Sequence, residues 1–303
     1  MLVVKHPAYF NDDRIYHNRQ ETVKLYDEAV YPQNNNMQNY DLRLIIVRHA
    51  ERIDVDLGEN WYDQIFGGVS SASPQNYRHP LLPSRLPHRS NTLLYVFDPP
   101  ITRIGEQKSF YKGQQLSRAG ASVDYCYSSP ACRSVITANA ILHGMNRSNV
   151  PIRLETYLFE PLAWNKPFQE LNMIPPFMST GEWKKAGYNV DRRYQSINRA
   201  INLYETEEDF WLRSKEFFDK IQQRHGHTTR KFGFGRGSNR RSNILIVGHA
   251  ASPLIFPSIA FEEPFDPYLF GQQCGQIPYL HTVVLERNAK THIWKARPIK
   301  SFA

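Results

Sequence analysis

Cysteine is scarce: the 303 residues contain three, Cys126, Cys132 and Cys274, with no CxxC pair. An odd, scattered set excludes a disulfide framework and a cysteine-built zinc site, and favours a reducing compartment. Long apolar runs are also missing, since none approaches the ~18 residues a membrane span needs. The N-terminal MLVVKHPAYFNDD is too polar for a secretory leader, so a cytoplasmic protein without membrane attachment is expected. Acidic residues are absent from residues 224–241, RHGHTTRKFGFGRGSNRR, where six Lys and Arg account for most of the net charge of +8. A basic excess confined to one glycine-rich stretch reads as a solvated loop inserted in the domain, and argues against a nucleic-acid partner. Clustered metal ligands are missing too. His225 and His227 sit in that loop, and neither a metal nor a cofactor is expected.

What is present is organised as alternating strands and helices. Residues 1–40 are polar, end in the linker-like YPQNNNMQNYD, and are expected to form an extension with one short helix over residues 21–30. From residue 41 to residue 303 a single domain is expected, interrupted by the basic insertion at about 224–241. LRLIIV (42–47) and NILIVG (243–248) are continuous aliphatic runs of the kind buried in parallel sheets. VDYCYSS gives a further strand, and residues 151–156 another. Thr102 is placed to cap a helix over 102–117, and Ser129-Pro130 to start one running through 145. Thr206 opens a helix whose Phe210, Trp211, Phe217, Phe218 and Ile221 form one apolar stripe. HTVVLE and THIWKA read as a closing hairpin. The pattern predicts an α/β three-layer sandwich, with helices on both faces of a mainly parallel central sheet. Residues 67–100 are expected to be mostly loop, and the aromatic, proline-rich residues 61–97 to form a substrate wall.

Three of these strands end in polar groups that suit one another. The first delivers Arg48, His49 and Arg52, the second leads through SSPACR to Arg133, and the third delivers Gly248-His249. Ligands of open α/β sheets bind beyond the carboxyl ends of strands. Three guanidiniums, two imidazoles and a helix N-terminus gathered there would hold a phosphoryl group. A neutral imidazole with one nitrogen free is a good nucleophile toward phosphorus, and neighbouring guanidiniums help to keep it unprotonated. The leaving oxygen then needs a carboxylic acid to protonate it, for which Glu51, Glu155 and Glu160 are within reach in sequence.

VRHAER, SSPACRS and VGHA together resemble the histidine phosphatase superfamily, whose fold is phosphoglycerate-mutase-like. NWYDQIFG, LPSRLPHRSN, FDPPITRIG, LFEPLAW and QIPYLHTVVLE extend the likeness to the phosphatase domains of the suppressors of T-cell receptor signalling and to insect ecdysteroid-phosphate phosphatases. The resemblance covers most of residues 42–286. It implies that His49 becomes phosphohistidine, that Arg48, Arg52, Arg133 and His249 hold the phosphoryl oxygens, and that Glu160 is the general acid. His249 is thereby both a phosphate ligand and part of the catalytic group. It further implies a phosphate-ester substrate, either protein phosphotyrosine or a hydrophobic, steroid-like ester, and leaves a homodimer open. The chain departs from the family at Ala50, where glycine is usual; a positive φ there would cost an alanine about 1 kcal/mol.

Other chemistries fit less well. A cysteine-dependent phosphatase needs five residues between cysteine and arginine, whereas Cys126 and Arg133 are separated by six. A secreted histidine acid phosphatase needs an acid after the second histidine, where Ala250 stands. Two alternatives remain open at this level: a phosphoglycerate-type mutase built on the same residues, and a catalytically idle phosphate-binding module.

Overall fold

In the computed structural model of the protein, the described residues are 39–67, 77–198, 200–226 and 241–298. The helix expected over residues 21–30 and nearly all of the basic loop lie outside them. Their centre is a six-stranded sheet in the order β3-β2-β4-β1-β5-β6. β1 (Tyr40–Arg48) pairs in parallel with β4 (Ser242–Gly248), and on its other side antiparallel with β5 (Thr282–Asn288). β2 (Tyr125–Ser128) and β3 (Ile152–Leu154) continue the parallel half, while β6 (Trp294–Arg297) closes the expected hairpin with β5.

Strand alternation divides the core into two layers. Ile45, Val47, Leu245 and Val247 face helices α1 (Arg103–Arg118) and α2 (Cys132–Gly144), packing with Leu116, Val135 and Ile141. Leu44, Ile46, Ile244 and Ile246 face α3 (Glu207–His225) and α4 (Ser252–Ala260), and meet Phe210, Phe217, Phe218, Ile221 and Leu254. A shorter helix, α5 (Pro267–Cys274), packs beside α4 through Phe270. The three-layer sandwich expected from the sequence is therefore the fold. α1 is capped by Thr102, and α3 by Thr206 in a capping box with Asp209. α1 and α2 cross closely enough that a Cβ on Gly144 would meet the Phe110 carbonyl oxygen at 2.0 Å.

One expectation is corrected. α2 starts at Cys132, not at Ser129-Pro130, because the Ser129 amide still bonds to Val247 and its hydroxyl to His249. Capping is supplied from elsewhere: Asp98 accepts the Cys132 amide hydrogen at 2.8 Å. Within residues 61–97, the expected substrate wall, four of the aromatic rings turn inward. Trp61, Tyr62, Phe66 and Tyr95 are buried in the α1/α2 core layer and pack ring against ring, three of them within the short helix Trp61–Phe66. The apolar area of four large rings is worth more inside than at a rim.

Candidate active site

The sheet register sets the geometry. Arg48 pairs with Gly248 across the β1–β4 ladder, so the next residues, His49 and His249, leave the sheet side by side. The His49 amide donates to the Gly248 carbonyl at 2.9 Å, and the two imidazole rings meet edge-on with centroids 5.3 Å apart. Gly248 has to lack a side chain here, because a Cβ would lie 2.2 Å from the Ser252 hydroxyl that accepts the His249 amide hydrogen.

His49 is 2% exposed. Its Nδ1 lies 2.7 Å from the Ala50 carbonyl oxygen, an acceptor only, so Nδ1 carries the proton and Nε2 is left with its lone pair. Burial first, then Arg133, His249 and Arg48, hold its pKa well below the ordinary histidine value. Ala50 is not among the non-glycine residues with positive φ, so the departure from glycine carries no backbone strain there.

His249 is equally buried and its pKa is lowered in the same way, by burial and then by Arg133, Arg52, Arg48 and Arg213. Arg133 donates to its Nδ1 at 3.2 Å, which makes Nε2 the protonated nitrogen, donating to Ser129 Oγ at 2.9 Å. Arg133 also donates to Glu160 Oε1 at 2.7 Å, and Glu160 Oε2 stands 3.5 Å from His249 Nδ1. Asp98 is 3.9 Å from the same guanidinium and accepts from Arg89 at 2.8 Å. Burial pushes the Asp98 carboxyl upward, against the pull of Arg89 and Arg133.

The remaining arginines flank this centre. Arg48 donates to the Ile277 carbonyl and lies under the Tyr279 ring, its guanidinium carbon 4.3 Å from the ring centroid. Arg52 is held by Asp54, with Nε to Oδ1 at 2.9 Å, and lies near enough to His249 to influence it. Thus the structure brings together Arg48, His49, Arg133, Glu160 and His249, with Arg52 at their edge. The two other acids are occupied elsewhere. Glu51 accepts from Thr102 and Lys108, and buried Glu155 accepts from Tyr194, Ser196 and two backbone amides. Cys126 and Cys132 are buried with their thiols pushed upward, the opposite of a reactive thiolate. Among the described residues no group of three or more His, Cys, Asp or Glu could hold a metal ion, and no helix is long and apolar enough to cross a membrane.

Sequence reasoning missed Asp98, Arg89, Ser129 and Tyr279. Asp98 carried one signal, an acid set directly before two prolines in the apolar stretch YVFDPP. Tyr279 carried none, because its role arises from a turn that brings it over Arg48.

Sequence comparison finds relatives over most of the described fold. The chain is 29% identical over 255 residues to human ubiquitin-associated and SH3 domain-containing protein B, and 28% identical over 263 residues to Bombyx mori ecdysteroid-phosphate phosphatase. Each match covers 83% of this chain but only 37% and 36% of the relatives, so the chain spans little more than a third of their length. No family model matches the chain. Among solved structures, the Bombyx mori ecdysone phosphate phosphatase in complex with tungstate superposes with a TM-score of 0.66 at 25% identity, covering 84% of this chain and 91% of that one. In fold, and in the paired histidines among arginines at its strand ends, the chain is similar to the histidine phosphatases of phosphoglycerate-mutase-like fold.

Proposed function

We propose that the chain is a phosphomonoesterase that works through a phosphohistidine at His49. The observation that carries this reading is the tautomer. Nδ1 is committed to the Ala50 carbonyl, so the lone pair of Nε2 is available for in-line attack on phosphorus. Arg48, Arg52, Arg133 and His249 would hold the phosphoryl oxygens and offset their charge as the ester bond lengthens. Glu160 would give its proton to the departing oxygen, then take one from the water that attacks phosphohistidine, releasing inorganic phosphate and restoring neutral His49. Every step draws on the chain's own residues. A relative that holds tungstate, a tetrahedral oxyanion, is consistent with the same use of this site.

For the substrate, the reading favours an ester with an apolar leaving group, either protein phosphotyrosine or a steroid-like alcohol. Phe159 packs edge-on to His249 at 5.2 Å and to Phe177 at 4.9 Å, and Tyr279 lies beside His49 at 5.6 Å between centroids. One of the relatives is named for ecdysteroid phosphate, which has that character. The reading takes residues 41–303 as the phosphatase domain with residues 1–40 as an extension. It keeps the cytoplasm as the setting, on the three free and scattered cysteines.

The test is a rapid-quench experiment with phosphorus-labelled substrate. Label stable to base and labile to acid should appear on His49 and be absent from His49→Ala, which should turn over no ester. Full activity in that variant would overturn the mechanism.

A further inference from the structure

Glu160 lies in a stretch with little regular structure, between the short 3-10 turns Thr156–Leu158 and Leu162–Trp164. A general acid needs a fixed position, and a displacement of about 1 Å in such a group can reduce a rate ~100-fold. What holds this stretch comes from the start of α3. Arg213, two turns into that helix, donates to the carbonyl oxygens of Tyr157 at 2.5 Å, Phe159 at 3.0 Å and Glu160 at 3.2 Å. Its Nε and Nη2 also bind both carboxylate oxygens of Glu205, the residue just before the Thr206 cap. Glu205 in turn accepts the Leu162 amide hydrogen at 3.2 Å. One largely buried ion pair thus grips the backbone on both sides of Glu160; neither member is hydrogen-bonded to the two site histidines, although the Arg213 charge reaches His249. A planar guanidinium fork is needed, because a lysine ammonium cannot reach three carbonyls and a carboxylate at once.

We propose that Arg213 and Glu205 are positioning residues for the general acid: they lock the backbone of residues 157–162 so that the Glu160 side chain is aimed between Arg133 and His249. The proposal rests on the reading of Glu160 as the proton donor. A merely structural ion pair would, when weakened, lower the amount of folded protein and slow every substrate alike. A positioning pair makes the loss depend on the leaving group. Nitrophenolate departs as a stable anion, whereas an alkoxide needs its proton.

The experiment compares wild type, Glu160→Gln, Arg213→Lys and Glu205→Gln on an alkyl phosphate and on nitrophenyl phosphate. Hydrogen exchange of the amides of residues 157–162 is followed in each protein. Glu160→Gln should lose ~100-fold or more on the alkyl ester and far less on the aryl one. Arg213→Lys should show the same split, roughly tenfold or more on the alkyl ester, with faster exchange confined to residues 157–162. Glu205→Gln keeps the size of the side chain and guards against misfolding of the arginine variant; it should show a weaker version of both effects. Equal slowing of the two esters by Arg213→Lys, or unchanged exchange, while Glu160→Gln remains selective, overturns the clamp alone. If Glu160→Gln slows both esters alike or neither, the acid assignment fails and the clamp fails with it.

Discussion

The two ring nitrogens of His49 have different surroundings. Nδ1 faces the Ala50 carbonyl, and the ring is enclosed by Arg48, Arg133 and the second imidazole. A proton added to such a ring would be a buried charge beside guanidiniums, which is why the pKa falls well below the ordinary value near 6.5. We predict that nitrogen NMR of the free protein finds His49 neutral and protonated at Nδ1 at pH 6, where an exposed histidine is mostly cationic. An imidazolium signal for His49 at that pH would contradict the assignment. The same residue was legible in the sequence as part of an anion site, because a buried strand running into RHAER suits little else; its role as nucleophile was implied by the family likeness and is part of the proposal. Its tautomer was not legible, since that depends on where one carbonyl oxygen points. Glu160 was marked only by family likeness. What separates it from Glu51 and Glu155 is that those two carboxylates already have partners away from the histidines.

At the level of elements, the strands and the longer helices were legible because their signals are local: aliphatic runs for β1 and β4, Thr102 and Thr206 as caps, and the aromatic stripe on α3. The start of α2 was not, because Ser129 is drawn into the sheet and the capping carboxylate arrives from Asp98, thirty-four residues upstream. The burial of Trp61, Tyr62 and Phe66 was equally hidden, since composition does not distinguish a wall from a core. Packing between α1 and α2 depends on glycine at the crossing. A methyl group at Gly144 would have to displace backbone of α1, whereas one at Gly271 of α5 meets nothing within 4 Å. Gly144→Ala should therefore lower the unfolding free energy by about 1–3 kcal/mol. Gly271→Ala should leave it unchanged or raise it by up to about 1 kcal/mol, through helix propensity. Chemical denaturation of the two variants checks this, and equal midpoints would mean that the crossing yields easily.

Across the described residues, three buried histidines share one bias. His49 and His249 are held neutral at the site, and His225, at the far end of α3, has its pKa lowered to about 4 by burial and by Arg153 and Arg224, with Tyr127 bonded to its Nε2 at 2.8 Å. The unfolded chain lacks these environments and takes up protons near pH 6.5. Above that pH the two states bind these protons equally and the contribution to stability is full. As pH falls below about 6.5 the unfolded state gains protons that the fold refuses, and stability drops by roughly 1.4 kcal/mol per pH unit for each such histidine. For His225 the loss runs down to about pH 4. Denaturation midpoints should fall steeply over that range, and His225→Gln should flatten the slope; a profile level from pH 7 to 4.5 would refute the shifts. The β1–β4 register has a further consequence, in time rather than in space. Arg48 and Gly248 are neighbours in the sheet but about two hundred residues apart in the chain, and closing so long a loop is an entropically costly step in folding. Neither imidazole has its partner until that step is complete, so turnover in a refolding chain is a clock for the closure of that loop.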